Sequence, residues 1–79
     1  MIKDYKKYEV IENAGLGTCH ILDKCDKGYL VYSENNVEHF IVCDAIFSDG
    51  YLSRAEYCSS LESALNIFKE FKKDCKELL

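Results

Sequence analysis

The chain has 79 residues, 48% of them apolar and ten aromatic (six Tyr, four Phe), and a formal net charge of −4. That length fits one domain, 1–79, of modest stability, and the apolar share excludes an intrinsically disordered chain. Charge is uneven, with +2 on residues 1–8, −7 on 9–62 and +1 on 63–79, which argues against direct nucleic-acid binding, since phosphate recognition runs on clustered Lys and Arg.

No apolar run approaches the roughly 18 residues of a membrane span. Residues 1–7 lack the apolar stretch of a secretory leader. The expectation is a cytoplasmic protein that meets no membrane.

In chain order, residues 2–8 read as a lead-in. Residues 8–13 have strand composition, and Ala14-Gly15-Leu16-Gly17 punctuates the chain as a turn. A second strand spans 18–23, closed by the polar run 24–28. A third spans 29–33, with Glu34-Asn35-Asn36 as its turn. Residues 38–47 form the strongest strand, β-branched and aromatic almost throughout. Ser48-Asp49-Gly50 is a hairpin signal in which Gly supplies positive φ, and 51–57 returns as a fifth strand.

Residues 59–79 read as one amphipathic helix. Leu61, Ala64, Leu65, Phe68, Phe71, Cys75, Leu78 and Leu79 share one side of a 3.6-residue period, with Ile67 at the flank. Ser59 and Glu62 fit a capping box, and Ser60 is an equally acceptable cap. Lys72, Lys73 and Lys76 suit the negative end of the helix dipole. Short connections throughout favour antiparallel neighbours. The predicted class is α+β: an antiparallel meander of four to five strands with one C-terminal amphipathic helix packed on one face.

A single helix covers one face of a sheet. Yet His39, Ile41, Cys43, Ala45 and Phe47 alternate with Phe40, Val42 and Ile46, so strand four is apolar on both sides. Strand three repeats this, with Tyr29 and Val31 against Leu30 and Tyr32. Such a sheet ordinarily shows a polar outer face. Two readings follow: an apolar, Tyr-rich interface, or a curled sheet whose first strand or N-terminal segment covers that face. Asp44, alone among apolar residues, reads either as a charge at the rim of the interface or as the mark of a bulge or exposed edge.

Five cysteines raise disulfide and zinc chemistry. The count is odd, and the cytosolic expectation disfavours a disulfide framework. No tight Cys-x2–4-Cys pair exists, and His39 and Cys43 on one strand face stand roughly 13 Å apart at about 3.3 Å per residue. No metal or other cofactor is expected, and Cys19, Cys43 and Cys75 read as small buried hydrophobes. Cys58 precedes the helix start, where backbone N–H groups lower a thiol pKa. His20 and His39 are the available neutral-pH bases, but both sit inside strands. No catalytic constellation emerges, so an enzyme is not expected.

The function this composition favours is a non-enzymatic protein-interaction module. It would bind through the uncovered sheet face or an edge strand, to a protein with a basic surface or to a second copy of itself. The residues expected to carry binding are Tyr29, Tyr32, Phe40, Val42, Asp44, Ile46 and Tyr51, with Glu34, Glu38 and Glu56 as the acidic rim. In size, charge and layout the chain resembles small inhibitors encoded by phages and mobile elements, anti-CRISPR proteins among them; no motif carries that resemblance and no residue role follows from it. Two alternatives stand beside this: an acidic mimic of nucleic acid occupying a basic groove, and a thiol-dependent or small-ligand protein centred on Cys58.

Overall fold

A computed structural model describes the backbone of residues 9–77 and the side chains of 9–71. Five strands form an antiparallel sheet in the order β1-β2-β3-β4-β7: β1 Glu9–Asn13, β2 Gly17–Cys25, β3 Gly28–Ser33, β4 Phe40–Cys43 and β7 Glu56–Cys58. Between β4 and β7 the chain leaves the sheet as a ribbon of two short strands, β5 Ala45–Ile46 and β6 Leu52–Ser53. The helix α1, Leu61–Glu77, closes the fold.

The helix packs where the period places it. Ala64 and Phe68 are buried against Leu30, Tyr32, Phe40, Val42 and Cys58, with Leu61, Ile67 and Phe71 at the margins. Burying side chains of this size contributes on the order of 1.5–3 kcal/mol each before entropy. Phe71 lies so close to Gly28 that a Cβ there would collide with its ring and with the Cys43 carbonyl, which explains a glycine at the start of β3. Leu65, expected in the stripe, is instead exposed. The side chain of Cys75, with Leu78 and Leu79, lies outside the described residues. The cap is Ser60, whose Oγ accepts from the Ser63 N–H at 3.2 Å, so the box between Ser59 and Glu62 gives way to the alternative one residue on.

A bulge in β2 corrects a local mismatch. Ile21 pairs with Val31 and Asp23 with Leu30, leaving Leu22 as the extra residue. That slip lets Leu22 pack against the helix-side cluster while Asp23 is exposed.

The second face of the sheet is covered by the chain itself. Val31, Ile41, Cys43 and Cys19 are fully buried there beneath Leu52, with Ile46, Ala55, Ile11, Leu16 and Tyr29 around them. The lid is the β5–β6 ribbon, a third layer that neither the helix nor β1 supplies. The expected strand over 38–47 is therefore two strands in two sheets, broken at Asp44, and the expected strand over 51–57 is likewise two, broken at Arg54.

At the first corner the Asp44 N–H donates to the Ser53 carbonyl at 3.0 Å. At the second, Arg54 adopts φ 52, the left-handed region. The corner at Asp44 resets the alternation, so Ile46 joins Ile41 and Cys43 rather than Phe40 and Val42.

Candidate protein-interaction site

The strand directions sort the molecule into two ends. β1 runs up to the 14–16 turn, β2 returns from it, and β3 runs up to the 34–39 loop. The ribbon tip and the start of α1 come to this same end. Gly50 lies against the Glu12 carbonyl, and Cys58 pairs with Phe40 at the head of β4.

The ribbon tip is fastened by one side chain. Asn13 Nδ2 donates to the Gly50 carbonyl at 2.7 Å, while Asn13 Oδ1 accepts from the N–H groups of Gly15 and Leu16 at 2.8 and 2.9 Å. Within the tip, Phe47 N–H donates to the Tyr51 carbonyl and Gly50 N–H to the Phe47 carbonyl. Gly50, at φ 88, takes the left-handed place of a three-residue hairpin loop. Asp49 Oδ1 accepts from Tyr51 N–H at 3.0 Å.

This construction points Ile46 and Leu52 inward and Phe47 and Tyr51 outward. The two outward rings stack at 5.7 Å with 10° between planes, 53% and 57% exposed. Tyr57, 44% exposed, projects from β7 on the same face. Tyr51, Leu52, Tyr57 and Asp49 face the 13–16 turn across an open groove of about 400 Å3.

Charge is sorted as well. Glu12, Glu34, Glu38, Asp49 and Glu62 all lie at this end, on β1, the 34–39 loop, the ribbon tip and the first turn of α1. Among the described residues no Lys or Arg lies there: Lys24 and Lys27 flank the β2–β3 turn, Arg54 sits at the opposite corner, and the helix lysines begin at its midpoint with Lys69. Two of the acids are anchored. His20 Nε2 donates to Glu34 Oε2 at 2.7 Å, and Thr18 Oγ1 donates to Glu12 Oε2 at 3.2 Å. The 34–39 loop is closed by Ser33 N–H to the His39 carbonyl at 2.7 Å and by His39 Nδ1 to the Ser33 carbonyl at 2.8 Å.

The residues predicted to carry binding are scattered by this fold. Tyr32, Phe40 and Val42 are buried beneath α1 and offer no surface. Tyr29 and Ile46 are half-buried in the cluster under the ribbon. Asp44 is half-buried at the far corner, 3.5 Å from the Arg54 guanidinium, and Glu56 is exposed on β7 opposite Val42. Only Tyr51, Glu34 and Glu38 offer surface at the acidic end. Phe47, Tyr57 and Asp49, absent from that prediction, join them. The readable signal was symmetry: a three-residue loop at 48–50 sets Phe47 and Tyr51 opposite each other.

The thiols are poorly placed for chemistry. Burial pushes the Cys43 thiol up to about 11, Asp44 adding to the rise. Burial likewise raises Cys19 and, with Glu56 and Glu38 adding, Cys58. Cys58 packs in the helix-side cluster, so no depressed pKa favours it as a nucleophile. Among the described residues no group of three or more His, Cys, Asp or Glu is placed to hold a metal ion, and no helix is long and apolar enough to cross a membrane.

The fold and this surface define the protein's class: an α+β sandwich with a ribbon lid and one acidic, aromatic-edged end. Comparison with protein families, curated proteins and solved structures returns no match for the chain.

Proposed function

We propose that the chain is a non-enzymatic protein-interaction module whose acidic end docks on a basic surface of a protein partner. The observation that carries this is the convergence of Glu12, Glu34, Glu38, Asp49 and Glu62 with the exposed Phe47–Tyr51 stack at one end, where no described cation offsets them. Aromatics supply contact area at small entropic cost, and clustered acids steer a basic partner. Two copies meeting by this end would oppose like charges, so a different molecule suits it better. Blocking a partner's basic surface is the form of action open to an inhibitor of the phage or mobile-element kind. Mimicry of a phosphate backbone is the narrower variant of the same reading, favoured by the same five carboxylates.

The test is affinity capture at low and high salt with three proteins: the natural chain, an acidic-end variant (Glu34→Lys with Glu38→Lys) and an opposite-end variant (Asp26→Lys with Glu70→Lys). A protein held at low salt by the natural chain and the opposite-end variant, but lost by the acidic-end variant, supports the proposal. Equal retention by all three overturns it. Mimicry adds a steep fall with salt, and retention in high salt removes that variant.

A further inference from the structure

We infer that the groove between the ribbon tip and the 13–16 turn is the seat for one arginine side chain of the partner, an inference that rests on the reading above. The walls supply what a guanidinium needs. Tyr51 and Tyr57 contribute aromatic surface, Leu16 contributes apolar surface for the side-chain stem over a floor at buried Leu52, and Asp49 contributes a carboxylate. Asp49 commits Oδ1 to the Tyr51 N–H, an arrangement that fixes the carboxylate at the groove and leaves Oδ2 with no hydrogen bond among the described residues.

The groove's volume of about 400 Å3 is at the small end of ligand sites, enough for a side chain and small for a nucleotide-sized cofactor. An anionic ligand is disfavoured by the acids around it. Between the two cationic side chains, arginine fits better. Its planar fork stacks on tyrosine faces while donating to a carboxylate, whereas lysine is a compact, strongly hydrated point charge. The groove is also held in shape before any ligand arrives. Asn13 bonds the turn on one wall to Gly50 on the other, so closure costs little ordering on binding.

The experiment is amide NMR titration of the full chain with end-blocked Gly-Arg-Gly, its lysine counterpart, and its neutral isostere carrying citrulline. Arginine should shift the amides of residues 13–16, 49–52 and 57 and saturate, with a dissociation constant on the order of millimolar for so small a ligand. Citrulline should bind roughly tenfold more weakly, the loss of a charge-assisted hydrogen bond, and lysine should fall between. Asp49→Asn keeps the Oδ1 acceptor for Tyr51 and removes the charge, so it should abolish the arginine preference. Tyr57→Leu keeps apolar bulk and removes the ring, and it should weaken arginine and leave citrulline nearly unchanged.

Equal binding of arginine and citrulline, or arginine shifts confined to other amides, overturns the inference. So does a concentration-dependent dimer that itself occupies these amides. A partner captured through Glu34 and Glu38 with undiminished affinity by Asp49→Asn and Tyr57→Leu sinks the arginine seat while the interaction reading stands. Loss of capture selectivity in the charge-reversal series, with arginine binding intact, does the reverse.

Discussion

Asn13 holds Gly50: its Nδ2 donates to the Gly50 carbonyl while its Oδ1 accepts two N–H groups of its own turn. One side chain thus joins the β1–β2 turn to the tip of the ribbon. Asn13→Ala should lower stability by about 1–3 kcal/mol, since it removes three hydrogen bonds, two of them part-buried and the one from Gly15 exposed. Asn13→Asp keeps the two turn bonds but sets a carboxylate oxygen against the Gly50 carbonyl at an end already rich in acids, so its loss should concentrate at the ribbon tip. Urea unfolding measures both losses, and hydrogen exchange at Phe47 and Gly50 should quicken in both variants. Unchanged exchange at the tip in Asn13→Asp would show that the clamp holds nothing.

The other half of the clamp tolerates no side chain. Gly50 has φ 88, and a Cβ there would run into the Glu12 carbonyl. Left-handed backbone costs an L-residue about 1–2 kcal/mol before any collision. Gly50→Ala should therefore destabilise by more than about 2 kcal/mol. A loss under about 1 kcal/mol in urea titration would mean the tip is free to shift away from β1.

The helix and the two-sided apolarity of β3 and β4 were legible in the sequence because both depend on period alone. Phe68 and Ala64 fall where a 3.6 period places them, and Leu30 and Tyr32 oppose Tyr29 and Val31 as a period of two demands. From this followed either an exposed interface or a cover by the first strand or N-terminal segment; the cover the structure shows is instead the β5–β6 ribbon. The lid is made where the chain turns corners at Asp44 and Arg54, and neither is glycine or proline. Residues 38–47 have strand composition on both sides of the break, so local propensity gives no reason to stop. The lone acid at Asp44 was the sole readable irregularity. The acidic end was out of reach for another reason: Glu12, Glu34, Asp49 and Glu62 are distant in sequence and meet only once strand directions are known.

Ile46, expected to carry binding, instead faces inward from the ribbon, and that decides what its substitution does. Ile46→Asp would put a carboxylate into the cluster around Ile41, Cys43 and Leu52, and it should destabilise by about 2–4 kcal/mol. Tyr51→Ser, on the exposed side of the same ribbon, should stay within about 0.5 kcal/mol and act on binding instead. Circular dichroism melts of the two separate them; equal melts would place Ile46 outside the core.

The buried thiols make stability depend on alkaline pH. Cys43 is raised from 9.0 to about 11, chiefly by burial. The folded thiol keeps its proton to higher pH than the unfolded one, so its contribution is complete below about pH 9. It is lost as pH rises toward 11, by about 2–3 kcal/mol. Cys19 shifts in the same direction. Cys43→Ala starts from lower stability but should show a shallower decline between pH 9 and 11 in urea midpoints. Parallel declines in both proteins would assign the alkaline loss to other groups. At neutral pH, Cys19, Cys43 and Cys58 should react slowly with a thiol reagent until the chain is unfolded.

Arg54 supplies the last prediction, because its backbone and its side chain pull in opposite directions. At φ 52 it occupies a region that favours glycine, so Arg54→Gly relieves about 1 kcal/mol of folded-state strain, offset in part by the greater freedom of glycine in the unfolded chain. The side chain is almost wholly exposed and stands 3.5 Å from Asp44, a surface pair worth little. Arg54→Ala loses the pair and keeps the strain; Arg54→Gly loses the pair and sheds it. The glycine variant should therefore be at least as stable as the natural chain and more stable than the alanine variant. Should alanine equal glycine in urea midpoint, the corner between β6 and β7 would be reached without strain, and the ribbon would be held over Val31 and Ile41 by its packing and by Asn13 rather than by the set of the corner.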